Sequence, residues 1–190
     1  MTKPPISRFP PPELADLPQD VRERIEAVQE KSGFVPNVFL ALARRPDEFR
    51  AFFAYHDALM EKPGGLTKAE REMIVVATSG VNACTYCVVA HGAILRIRAK
   101  NPLIADQVAV NYRKADLAPR HGAMLDFAVK VAERSRAIDD ADYEELKSHS
   151  FSDDDAWDIA AMFAMSNRLA NAFSIRANDE FYAMGRESRT

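Results

Sequence analysis

The chain has 190 residues, enough for one domain with a substantial core or for a domain with an appended arm. Its 47% hydrophobic content rules out bulk disorder, and 25 basic against 28 acidic residues leave a net charge of -3, with no footprint for nucleic acid or an anionic membrane. The two cysteines are too few for a disulfide framework, the polar start lacks the apolar centre of a signal peptide, and no apolar run approaches the roughly 20 residues that cross a bilayer. A cytoplasmic location is therefore expected.

In chain order, Pro4, Pro5, Pro10, Pro11, Pro12 and Pro18 deny backbone donors and favour extended structure, so residues 1–19 read as an arm. Ile6, Phe9, Leu14 and Leu17 give it apolar surface to bury, either loosely or across a neighbouring subunit. Residues 20–190 read as one helical domain. A helix is predicted from Asp20 to Lys31 on Val21, Ile25 and Val28, with Gly33 as its stop, and Pro36 and Pro46 bracket the apolar segment 38–43. Between Asp47 and Met60, Phe49, Phe52, Phe53, His56, Leu59 and Met60 recur at helical spacing. His56 lies on or beside that face and reads as a partly buried, hydrogen-bonded histidine. Lys62-Pro63-Gly64-Gly65 is a break.

Thr67 and Glu70 form a capping-box pattern that opens a helix whose middle, Met73 to Ala77, is apolar all round. Glu72 beside it is costly to bury unless it points outward or is paired, and His91 is a candidate partner. Ser79-Gly80 is expected to end this helix and Asn82 to cap the next, which places Cys84 in its first turn and runs on to Asn101-Pro102. Arg96, Arg98 and Lys100 read as the cationic last turn, favoured by the helix dipole. Further helices are predicted over 103–112, from Pro119 through Val131, and from Asp139 or Asp140. Ser152 caps another that runs from Trp157 through Phe173, and a last one covers 178–184. No segment alternates as a strand does, so the expected class is all-α.

Cys84, Cys87 and His91 stand three, four and seven residues apart, which puts them on one stripe of a helix. A CxxC pair in a reducing compartment points to catalysis, redox exchange or metal binding. The thiolate is the reactive form, and two helpers are visible: the positive helix end, acting most on Cys84, and His91, one turn from Cys87 and able to take its proton. A peroxide would oxidise one thiol to a sulfenic acid, the other would condense with it, and an external dithiol or thioredoxin-like donor would reduce the disulfide. Two non-catalytic readings compete. One is a structural zinc site drawing its fourth ligand from His56, His121, His149 or a carboxylate, and the other is a pair of plain core cysteines. Val88 stands where covalent haem attachment needs histidine, and an iron–sulfur cluster needs more cysteines.

Glu72, then Cys84-Thr85-Tyr86-Cys87, then His91, with the glutamate twelve residues before the first cysteine, resembles the E…CxxCxxxH signature of alkylhydroperoxidase D-like proteins in the carboxymuconolactone decarboxylase-like superfamily. The segments 33–37, 125–128 and 167–171 are similar to its peroxidase-related branch. The resemblance implies an all-helical fold assembled as trimers or hexamers, and hydroperoxide reduction without cofactor or metal. It further implies Cys87 as the peroxidatic thiol, Cys84 as the resolving thiol, His91 with Glu72 as a proton relay, and Tyr86 as a packing residue or a hydrogen-bond donor to substrate. Dipole reasoning alone would make Cys84 the more acidic thiol. Decarboxylation, as in superfamily relatives, does not require the CxxC.

Overall fold

The structure, a computed structural model, describes residues 4–162 and 165–187. Among these residues eleven α-helices and three short 3-10 turns occur and no strand, as the patterning predicts. The helices are α1 (Gln19–Ser32), α2 (Asn37–Leu42), α3 (Pro46–Met60), α4 (Lys68–Val81), α5 (Thr85–Ala99) and α6 (Ile104–Asn111), followed by α7 (Pro119–Arg134), α8 (Asp140–Ser148), α9 (Asp153–Ala161), α10 (Met165–Ala172) and α11 (Asp179–Ala183). None is long and apolar enough to cross a membrane.

Local chemistry sets most of these boundaries. Gly33 closes α1 in the left-handed region at φ 82, and its N–H donates to Gln29 O at 2.8 Å. Reciprocal capping boxes start α4 at Thr67, α8 at Asp139 and α9 at Ser152. The run 157–173 is interrupted rather than continuous: α9 stops at Ala161 and α10 begins at Met165, with Phe163 and Ala164 of the predicted helix outside the described residues. No glycine or proline announces that stop.

Helices α4 and α5, joined by three residues, form the centre of the molecule. Ile74 and Val76 of α4 are fully buried with Met124 and Leu125 of α7 and Ile159 of α9, a core that α6 and α8 complete. A second cluster packs the N-terminal half of α5 against Ala170, Ile175 and Phe181. The third lies under α1, α2 and α3, where Phe39 stacks on Phe53 with centroids 4.1 Å apart.

The proline-rich segment does not trail away. Arg8 N donates to Phe173 O at 2.7 Å, Arg176 N donates to Ile6 O at 2.8 Å, and Phe9 packs edge-on to Phe173. Asn178 holds the same region to the start of α2, accepting from Asn37 N and donating to Val35 O. Residues 6–9 of the arm thus lie on the C-terminal segment of their own chain, and Leu14 and Leu17 pack into the cluster under α1, α2 and α3.

Gly80 marks a close helix crossing. A Cβ there would come 2.6 Å from Ala109 O in α6, so α4 and α6 meet on bare backbone. Gly80→Ala is expected to push them apart and lower stability by about 1–3 kcal/mol, read as a lower denaturant midpoint. An unchanged midpoint would show that the crossing relaxes freely.

Candidate active site

The site is built at the turn between α4 and α5. The sequence reading placed the helix stop at Ser79-Gly80 and the next cap at Asn82, and both positions are corrected. Helix α4 continues through Val81, Asn82 closes it with Nδ2 donating to Thr78 O at 2.9 Å, and Ala83 reverses the chain at φ 50. Cys84 is then the N-cap of α5, its sulfur accepting from Cys87 N at 3.4 Å. Its own N–H donates to Ser79 O at 3.0 Å. Two asparagines of α10 brace the turn: Asn171 Nδ2 donates to Asn82 O at 3.0 Å, and Asn167 Oδ1 accepts from Ser79 Oγ at 3.1 Å.

Both sulfurs are buried, with Cys84 0% and Cys87 1% exposed, and they stand 2.9 Å apart, within hydrogen-bonding distance. The hydrogen bond with Cys87 brings Cys84 down to about 7 from the ordinary thiol range. Burial opposes the shift, while the Cys87 amide and the charge of His91 assist it. Dipole reasoning had pointed to the same thiol.

Behind the thiols, His91 Nδ1 meets Glu72 Oε2 at 2.7 Å. The buried carboxylate therefore has the partner expected of it. With Nδ1–H donating to Glu72, Nε2 is left as the basic nitrogen on the ring. The pair is shielded, with 18% of the His91 side chain and 10% of the Glu72 side chain exposed.

Tyr86 turns another way. Its buried ring packs edge-on to Phe181, its hydroxyl accepts from Val38 N at 3.4 Å, and burial pushes its pKa up. His121 and His149 lie apart from the thiols, against Glu70 at 3.7 Å and Glu145 at 3.2 Å. Among the described residues no group of three or more His, Cys, Asp or Glu is arranged to hold a metal ion. His56 is the partly buried, hydrogen-bonded histidine expected from sequence, its Nδ1 meeting Asp57 Oδ1 at 3.2 Å. Arg96 does lie in the last turn of α5, as expected, and the structure adds its partners. It is buried, and its Nε and Nη2 donate to Met184 O and Phe181 O at 2.9 Å each, fastening α11 to α5.

The Carboxymuconolactone decarboxylase family model matches residues 46–110, which run from the start of α3 almost to the end of α6 and include Glu72, both cysteines and His91. A solved peroxidase-related protein from Ralstonia eutropha JMP134, described as an alkylhydroperoxidase AhpD core, is 67% identical with a TM-score of 0.97, over 98% of this chain and 100% of that one. The chain belongs to the AhpD-like proteins of the carboxymuconolactone decarboxylase superfamily. A peroxidase-related protein from Silicibacter sp. TM1040 is 42% identical with a TM-score of 0.91 over 98% and 100% of the two chains. The debrominase Bmp8 shares the AhpD-like fold at 22% identity and a TM-score of 0.74, over 94% of each chain. No curated protein matches the chain.

Proposed function

We propose that this AhpD-like protein is a thiol-dependent hydroperoxide reductase. The reading is carried by one observation: two buried sulfurs 2.9 Å apart on the helix that also presents His91, itself bound to Glu72 at 2.7 Å. Cys87 is read as the peroxidatic thiol, because it precedes His91 by one helical turn and can pass its proton to that ring. Its thiolate attacks the terminal peroxide oxygen, the O–O bond breaks, and the departing alkoxide takes a proton to become an alcohol. Cys84 then attacks the sulfenic sulfur, forming the S–S bond and expelling hydroxide, which leaves as water. A thiol lowered to about 7 suits this second step, since a large share of it is ionised at neutral pH and its target is adjacent. A dithiol or thioredoxin-like donor restores both thiols, with Cys84 the better leaving group. Tyr86 is read as part of the site wall, its hydroxyl being taken by Val38. The working form is proposed to be a cytoplasmic trimer or hexamer without a cofactor.

Stoichiometry tests this. Reduced, chelator-treated protein mixed with an organic hydroperoxide is expected to lose two thiols and gain one intramolecular disulfide for each hydroperoxide consumed. Thiols that stay reduced while the hydroperoxide persists would reject the enzyme reading. Copurification of stoichiometric zinc bound through these sulfurs would replace it with a structural role.

A further inference from the structure

The cap that places Cys84 rests on an unfavourable piece of backbone. Ala83 stands in the left-handed region at φ 50, where its own Cβ crowds the following carbonyl, a conformation that glycine or asparagine adopts far more readily. The peptide joining it to Asn82 must therefore be held. Turning that one plane would release Ala83 from the left-handed region and carry Cys84 away from the end of α5. Inside the turn, Ala83 N donates to Gly80 O and Cys84 N donates to Ser79 O, each at 3.0 Å.

Helix α10 grips the same turn from outside. Asn171 Nδ2 donates at 3.0 Å to Asn82 O, the carbonyl of the plane that sets Ala83. Asn167 Oδ1 accepts at 3.1 Å from the hydroxyl of Ser79, the residue whose carbonyl takes the Cys84 amide. Asn167, Ala170 and Asn171 share one face of α10, and Ala170 packs in the apolar cluster that holds Cys84 and Cys87. The end of α10 is anchored in turn, since Phe173 O accepts from Arg8 N of the arm at 2.7 Å. Asn167 is 1% exposed, and its Nδ2 has no hydrogen-bond partner among the described residues. A buried donor left unpaired lowers stability, so Asn167 is poorly explained by packing and well explained by what its oxygen holds.

We propose that Asn167 and Asn171 are positioning residues for the thiol pair. By holding Ser79 and the Asn82–Ala83 peptide, they keep Cys84 at the cap, its sulfur 3.4 Å from the Cys87 amide and 2.9 Å from the Cys87 sulfur. Condensation of the two sulfurs requires that adjacency. For its bearing on turnover the assignment rests on the hydroperoxide reductase reading, which it extends from the sulfurs to the helix that sets their spacing. Both asparagines act through the turn and are not assigned contact with the substrate.

The test reads Cys84 directly. The pH midpoint of its modification by iodoacetamide, followed by peptide mass spectrometry, is expected to move to higher pH in Asn171→Ala and in Asn167→Ala. A displaced cap loses the Cys87 amide and sulfur that favour the thiolate. With dithiothreitol as electron donor, kcat should fall about fivefold at an unchanged KM for the hydroperoxide, the factor that one lost hydrogen bond represents. Asn171 and Ala83 are exposed, so changes there leave the core intact and carry the test if Asn167→Ala does not fold. Adding Ala83→Gly to Asn171→Ala should return both readouts toward the parent, because glycine takes the left-handed conformation without crowding. A purely structural role would lower the melting temperature and leave the midpoint in place. That result, or a displaced midpoint that Ala83→Gly does not restore, overturns the assignment. A parent protein that consumes no hydroperoxide overturns the reductase reading instead, and the alkylation midpoints then still decide whether α10 places Cys84.

Discussion

Cys87→Ser is expected to lose hydroperoxide consumption completely, whereas Cys84→Ser should consume one equivalent and stop with a sulfenic acid on Cys87. The asymmetry follows from the two sulfurs' surroundings. Cys84 caps the helix, accepts from the Cys87 amide and is lowered to about 7, so it is a stabilised, weakly basic thiolate. A thiol near 7 is ionised in large share at neutral pH and leaves readily when the disulfide is reduced, so this sulfur suits the resolving and leaving-group roles. Cys87, a turn from the basic nitrogen of His91, suits the first attack. Serine cannot form a sulfenic acid or a disulfide, so Cys87→Ser removes the reaction itself and not merely a contribution to its rate. Mass spectrometry after trapping with a sulfenic-acid-selective 1,3-dione would show the adduct on Cys87 in the Cys84→Ser protein alone. An adduct on Cys84 in the Cys87→Ser protein would exchange the two roles.

What the sequence revealed of this fold is what depends on neighbours a few residues apart. The capping box at Thr67 and the cap at Ser152 were legible because donor and acceptor stand three residues apart, and Gly33 because only one residue type favours its conformation. The α4–α5 turn was misplaced for the converse reason. Its left-handed residue is Ala83, which carries no glycine signal, and its cap is a cysteine, a residue type absent from the usual capping set. Arg96 was read correctly as part of the cationic last turn, but its burial was not legible because its acceptors, carbonyls 85 and 88 residues away, leave no local mark. His56 was legible as a partly buried, hydrogen-bonded histidine because its partners, Asp57 and Phe52, stand on its own helix within four residues. The Glu72–His91 pair, nineteen residues apart, was found because a carboxylate on an apolar helix demands a partner.

That pair carries the second large effect. His91→Ala is expected to lower kcat about 10²-fold and Glu72→Gln somewhat less, since a positioned base contributes roughly 10²–10⁴-fold and a carboxylate that orients it acts through it. The pH dependence supplies a signature that lost packing would not. A thiol whose folded pKa lies below its unfolded value is held as thiolate by the native structure. Its stabilising contribution is full above the unfolded value, near 8.5, and disappears as pH falls through about 7. Activity should decline over the same window, because the resolving thiolate is progressively protonated. The charge of His91 is one of the influences that hold Cys84 low, so His91→Ala should move the acid limb to higher pH as well as lowering the plateau. Glu72→Gln keeps a hydrogen-bonding side chain but removes the charge that offsets the imidazolium formed when His91 takes a proton. It should therefore move the limb in the same direction. Iodoacetamide modification of Cys84 across pH 5–10 measures the shift independently of peroxide. If both variants keep the parent's plateau and the parent's midpoint, the relay does not activate the thiols, and His91 and Glu72 serve only to close the buried end of the site.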